Sequence, residues 1–341
     1  MTIQQRKRDH LAIVLDEDVA AKGVTTGFER YALPHEALPD LDLNQIDIGL
    51  SLFGRRLRAP LLISSMTGGA AEAEAINLAL AEAAQALGIA MGVGSQRAAL
   101  EQPALAHTFQ VRRRAPHILL FANLGAVQLN YGYGLDEARR AVEMIDADAL
   151  FLHLNPLQEA VQREGDGNWR GLLPKIEALA TKLEVPIVAK EVGNGIGAAT
   201  ARRLVDVGVA AIDVAGAGGT SWSEVEAYRQ TDPLRKRIAH SFAGWGIPTA
   251  TALQECRAAL PHDIPLFASG GIRGGIDVAK AIALGATLVG SAAPMLESAT
   301  LGTQQAYDKF SAFIEELRIA MFCSGAGTLA QLRGVALRRA E

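Results

Sequence analysis

Cysteine is nearly absent from this chain. Cys256 and Cys323 are the two in 341 residues. They lie far apart, which excludes a disulfide framework or a thiolate metal site and fits a reducing cytoplasm. Long apolar runs are missing as well, and without an 18-residue apolar span no transmembrane helix is expected. The start, MTIQQRKRDH, is basic, but the apolar run after it is only Leu11 to Leu15, too short for the core of a signal peptide. Nor is there an excess of charge of one sign. A net charge of −4 gives no reason to expect a nucleic-acid partner or an acidic membrane surface. A cytoplasmic protein is expected.

What is present is repetition. Eight short apolar segments end in small or polar residues: LLISSMTGG (61–69), IAMGVGSQR (89–97), ILLFANLG (118–125), ALFLHLNPLQE (149–159), PIVAKEV (186–192), AIDVAG (211–216), PLFASGGIR (265–273) and TLVGSA (287–292). Their starts are mostly one strand–helix unit apart, roughly 25–35 residues. The stretches between them read as helix, as in Ala71 to Leu87 and Ile276 to Leu284. The strands are continuously apolar rather than alternating, as in a parallel sheet covered on both faces. A doubly wound open sheet would fit the alternation. Eight units in one direction favour closure, so the predicted fold is an α/β TIM (β/α)8 barrel over 61–341, with any site at the carboxyl ends of its strands. With 49% hydrophobic residues, the chain can fill such a core.

Two segments fall outside the repeat. Residues 1–60 precede the first strand and are expected to pack across the barrel or reach over its mouth. An insertion at about 217–250, after the sixth strand, contains GGTSWSEVEAYRQTDPLRKRIAHSFAGWGIPT with Trp222 and Trp245. Long upper-face insertions are usually lids or binding loops; an inert elaboration is the alternative.

The chemical signals begin with phosphate. SGGIRGG (269–275) and GSAAP (290–294) follow the seventh and eighth strands, where converging backbone N–H groups at a helix start cradle phosphate in barrels. Arg273 adds a charge. Lys190 ends the buried strand PIVAK, and a cation there would stabilise negative charge on a flavin's N1–C2=O edge; the alternative is a lysine reaching solvent from the strand end. With Ser95, Asn123 and Thr220 on neighbouring loops, the set suits flavin mononucleotide (FMN) better than a sugar phosphate.

The motifs RKRDH (6–10), SSMTGG (64–69), GVGSQR (92–97), HLNPLQE (153–159), GDGNW (165–169), KEVGNGI (190–196), GGTSW (218–222) and SGGIRGG (269–275) together resemble the type 2 isopentenyl-diphosphate isomerases, FMN-dependent barrel enzymes, over nearly the whole chain. That resemblance implies FMN contacts from Ser65, Met66, Thr67, Ser95, Asn123, Lys190, Thr220, Gly271, Arg273, Ser291 and Ala292. It implies that Arg6, Lys7, Ser95, Gln96, Arg97, Asn155 and Gln158 meet the substrate diphosphate and that Glu159 binds Mg²⁺. NAD(P)H is implied as reductant of the flavin, and a homo-oligomer, tetramer or octamer, as the assembly.

Physical chemistry supports these roles. Three cations suit a diphosphate, and arginine offers the fork that phosphate prefers, although RKR near an amino terminus can also be a solvated run. Glu159 is a hard oxygen ligand of the kind that joins Mg²⁺ to phosphate oxygens, or else a helix-start glutamate helping the dipole. Moving a double bond by one carbon needs a proton given and a proton taken without net redox change. Gln158 is placed to orient or relay that proton, with His153 and His10 as further candidates. The rival enzymes on this barrel are 2-hydroxy-acid oxidases, which need a histidine with an arginine after the sixth strand, and nucleotide dehydrogenases, which need a nucleophilic cysteine in an upper loop. This chain has GGTSW and no histidine until His240, and both cysteines lie in helical stretches. A non-catalytic flavin-binding sensor is the third alternative; it would not need a diphosphate apparatus.

Overall fold

The computed structural model describes residues 3–340. Its centre is a closed barrel of eight parallel strands: β1 Leu61–Ile63, β2 Ala90–Gly92, β3 Leu120–Gly125, β4 Ala149–Leu154, β5 Ile187–Glu191, β6 Ala211–Asp213, β7 Leu266–Ala268 and β8 Leu288–Ser291. They pair in sequence order and β8 closes onto β1 through Val289↔Leu61 and Ser291↔Ile63. Each strand lies inside one of the eight apolar segments, so closure rather than an open sheet is the outcome. The strands are short because the polar tail of each segment leaves the ladder as a loop. Helix Ala71–Leu87 has the predicted bounds and stops at Gly88, whose φ of 67° suits a residue with no Cβ. The helix expected at 276–284 runs from Gly275 to Ala283.

The barrel interior is apolar at its lower end. Leu62, Phe121, Phe151, Val188, Phe267 and Leu288 form one buried cluster. Phe121 stacks on Phe151 at 4.3 Å between ring centroids, with Phe267 edge-on to both. A hairpin, Leu50–Leu52 with Arg55–Leu57, seals this end by adding Leu52 and Leu57 to the same cluster. Burying a leucine of this kind contributes about 1.5–3 kcal/mol. The leading segment therefore does two jobs. Its hairpin plugs the bottom, while helix Ile3–Asp16 lends Arg6, Lys7 and His10 to the lining at the top.

The insertion folds into two helices, Trp222–Arg229 and Pro233–His240. It is tied to the chain after the first helix by the Ala21 N–H donating to Gly219 O (2.8 Å) and the Ser221 N–H to Val19 O (2.8 Å). The two segments outside the repeat thus form one roof over the mouth. Trp222 lines the space beneath it, whereas Trp245 is exposed.

Candidate active site

A cavity of about 590 Å³ opens under that roof, within the usual size of small-molecule sites. Of the expected flavin contacts, Ser65, Met66, Thr67, Ser95, Asn123, Lys190, Thr220, Gly271, Arg273 and Ala292 line it; so do Arg6, Lys7, Arg97, Asn155, Gln158, Glu159, His153 and His10. Two expected residues turn elsewhere. The Gln96 side chain is fully buried, donating to Ala141 O (2.8 Å) and accepting from the Asn123 N–H (2.9 Å). An amide so satisfied by backbone holds the β3 end in place and is not part of the cavity lining. The Ser291 hydroxyl donates to Ile272 O at 2.9 Å, joining the loops after β7 and β8 rather than facing the cavity.

The floor is built on paired charge. Lys190 is buried, with Nζ 2.7 Å from Asp213 Oδ2 and 2.9 Å from Ser269 Oγ. Ser269 donates in turn to Asp213 Oδ1 at 2.7 Å. The lysine does not reach bulk solvent; its ammonium sits 5.9 Å from the centroid of the Phe151 ring, where the apolar plug gives way to the polar layer.

The wall carries surplus positive charge. Among the described residues, neither the Arg6 nor the Lys7 side chain has a hydrogen bond or ion pair. Arg97 divides its guanidinium between Glu101 (2.8 Å) and Asp166 (2.7 Å). Burial, with Arg6 and Arg97 nearby, holds the Lys7 ammonium down to about 8. Cations enclosed together at this cost are an anion site waiting for its counter-charge.

Between floor and wall lies a hydrogen-bonded chain. Gln158 accepts from Asn155 Nδ2 (3.0 Å) and donates to Glu226 Oε1 (3.1 Å). His10 Nε2 is 2.9 Å from the same oxygen, and Arg229 Nη1 holds Glu226 Oε2. Burial opposes charge on Glu226, but His10, Arg229 and Gln158 prevail and hold its carboxyl down to about 2. His10 lies below its ordinary value because burial outweighs Glu226, which favours a neutral ring donating its N–H. His153 Nδ1 sits 2.8 Å from Asn123 Oδ1. Burial, then Lys7 and Lys190, push its ring down to about 3, so it is neutral near pH 7.

The residues fit a flavin phosphate and a diphosphate. Ser65 Oγ and Asn155 Oδ1 are buried with no hydrogen-bond partner among the described residues, an arrangement that asks for a ligand. Arg273 and the start of helix Ala293–Leu301 line the cavity together, which suits phosphate. Gly271 takes φ 74°, and a Cβ on Gly219 would lie 2.5 Å from the Gly271 nitrogen, so the two loops meet only as glycines. Metal chemistry is sparser. Among the described residues no three His, Cys, Asp or Glu side chains converge. Glu159 Oε1 accepts one hydrogen bond, from Asn155, while Oε2 accepts from Gln162 and the Asp166 N–H. One lone pair of Oε1 remains for an ion that draws its other ligands from phosphate and water.

Residues 2–112 and 151–339 match the FMN-dependent dehydrogenase family. The chain is 64% identical to an isopentenyl-diphosphate delta-isomerase of Synechocystis sp. over 97% of its own length and 95% of that protein. The corresponding enzyme of Stutzerimonas stutzeri is 62% identical, with 97% and 96% covered. The chain belongs to the isopentenyl-diphosphate delta-isomerase family. The match also explains its resemblance in shape to a mandelate oxidase solved with an FMN adduct: TM-score 0.66, 20% identity, and 98% and 99% of the two chains covered. At that identity the likeness is one of fold alone.

The isomerase family's site therefore departs from an oxidase within one barrel. The first histidine after β6 is His240, which bonds Glu224 at 2.9 Å and is not part of the cavity lining. Cys256 and Cys323 lie in helices Thr249–Ala259 and Thr303–Cys323. Four site residues carry no role in the sequence reading: Asp213, Ser269, Glu226 and Asp166. Asp213 left a usable signal, because a carboxylate inside the apolar strand AIDV needs a buried partner. Glu226 left none, being one acid among several on a helix.

Proposed function

We propose that this chain interconverts isopentenyl diphosphate and dimethylallyl diphosphate by moving a proton across three carbons, with FMN at the barrel mouth and Mg²⁺ on Glu159. The observation that carries the proposal is the division of one cavity between a compensated floor around Lys190 and a wall of surplus cations. A flavin ring suits the first and a diphosphate the second.

In this reading Arg273, Gly271 and Ala292 hold the flavin phosphate, Ser65, Met66, Thr67 and Asn123 border the ring, and Lys190 faces its polar edge. When bound and reduced, the flavin supplies a proton-carrying N5 and an electron-rich ring for a redox-neutral shift. Arg6, Lys7 and Arg97 bind the diphosphate, with Ser95 and Asn155 fixing its position. Glu159 would hold Mg²⁺, and the ion would add positive charge for the diphosphate. Gln158 cannot ionise, but its amide, fixed at both ends by Asn155 and Glu226, orients the allylic carbon and passes a proton. Neutral His10 steadies this chain through Glu226, and neutral His153 is held beside it by Asn123; neither serves as a strong acid. NAD(P)H is needed only to reduce the flavin.

The purified protein is expected to bind FMN and to isomerise isopentenyl diphosphate anaerobically after dithionite reduction, without continued use of nicotinamide. Stoichiometric NAD(P)H oxidation in step with product would overturn this reading and restore a dehydrogenase.

A further inference from the structure

Lys190 has three N–H donors, and the protein takes two. One goes to Asp213 Oδ2 at 2.7 Å and one to Ser269 Oγ at 2.9 Å. Ser269 closes a ring of three by donating to Asp213 Oδ1 at 2.7 Å, and that oxygen also accepts the Ala215 N–H at 3.3 Å. Asp213 is completely buried, and among the described residues Lys190 is the one basic group bonded to it. A carboxylate there costs several kcal/mol of desolvation, more than is needed to anchor a lysine. A hydroxyl and a backbone carbonyl would hold an ammonium in place. What only a carboxylate adds is negative charge beside the cation.

We infer that Asp213 is a positioning residue that aims the Lys190 ammonium into the cavity and offsets part of its charge, with Ser269 as the second tether. The inference rests on the reading that Lys190 faces the flavin. It assigns to Asp213 control over how strongly the floor stabilises an anionic ring. A bare lysine would favour the deprotonated reduced flavin more strongly, leaving fewer molecules with the proton that an acid–base role requires. The aspartate moderates that pull. Lys190 and Ala215 both border the cavity, so the two groups that Asp213 organises are in reach of a bound ring.

The test uses the FMN holoenzyme, reduced anaerobically and titrated by absorbance for loss of the reduced flavin's N1 proton. Asp213→Asn should lower the pH of that transition by about one unit, the size of one moderately coupled charge. kcat should fall about tenfold while the KM for isopentenyl diphosphate stays near wild type, because the wall is untouched. An unmoved or upward-shifted transition overturns the charge assignment, and wild-type kcat overturns the positioning assignment. If Asp213→Asn does not accumulate as folded protein, Ser269→Ala carries the test. It keeps both charges and removes one tether, so kcat should drop severalfold with the transition in place; wild-type kcat there overturns the inference. The double variant Lys190→Met with Asp213→Asn separates the premise from the inference. If the double variant's flavin titrates like that of Asp213→Asn alone, removing the ammonium has changed nothing, Lys190 is not the group that the ring senses, and the placement of Lys190 fails rather than the coupling; a transition restored to or above the wild-type pH supports it.

Discussion

Floor and wall of this cavity handle buried charge in opposite ways. On the floor, Lys190 meets Asp213 and Ser269 in a closed set, each polar atom answered within 3 Å. On the wall, the Arg6 and Lys7 side chains form no ion pair among the described residues, although Glu159 and Glu226 attract Arg6 from a distance, and the cost of that arrangement is visible in the lowered Lys7 ammonium. The difference teaches what each surface is for. A charge compensated by the protein is a fixed instrument, held in place whether or not ligand is present. A charge left uncompensated stores a binding energy that only an incoming anion releases.

The sharpest way to break this contrast is to remove one member of each set and compare stability. Lys190→Met strands the Asp213 carboxylate and should destabilise the fold by about 3–5 kcal/mol, the usual result of breaking a buried pair. Adding Asp213→Leu should recover most of it. Lys7→Met, by contrast, should leave stability unchanged or slightly higher. Urea titrations at equal FMN saturation decide the matter, and equal losses at both positions would mean that the wall is as compensated as the floor.

Next in size is the chain between the two surfaces. Gln158→Leu should depress kcat by roughly 10²-fold, typical of a lost proton-transfer group, with FMN retained and KM only modestly changed. A near-normal kcat would remove Gln158 from the reaction. Arg97→Ala should act on KM first, raising it by roughly tenfold or more as a charge-assisted hydrogen bond is lost. Glu159→Gln should raise KM severalfold and weaken the Mg²⁺ dependence without releasing flavin; loss of flavin or unfolding would make the residue structural.

These residues differ in how far the sequence reveals them. The barrel was legible because eight apolar segments recur at strand–helix spacing and each ends where a strand must leave the ladder. Lys190 and the glycine loops were legible because a charge or a glycine cluster at a strand end has few structural uses. Gln96 was less legible, since a glutamine beside Ser95 and Arg97 looks like part of the cavity lining until its amide is seen bonded to Ala141 O and the Asn123 N–H. Glu226 was invisible because its meaning depends on a helix of the insertion docking beside His10 and Gln158, a contact between segments more than 60 residues apart. The hairpin that plugs the barrel was hidden for the same reason: Leu52 and Leu57 are ordinary leucines until the interior cluster claims them.

The smallest expected effect is also the most specific to the wall. Burial and the neighbouring arginines bring Lys7 to about 8, from an ordinary value near 10.5. The protonated form is the one that attracts a diphosphate, so kcat/KM should be level below pH 8 and decline above it as the proton leaves the free enzyme. Stability should move the other way. A lysine whose folded value is depressed carries its penalty in full below pH 8, and the penalty is relieved as pH rises toward 10.5, because the unfolded chain then binds more protons than the folded one. Lys7→Met should flatten both trends, with a lower but level kcat/KM across pH 7 to 10. If the variant keeps the wild-type alkaline decline, the titrating group is not Lys7, and the surplus charge on the wall does not rest on this ammonium.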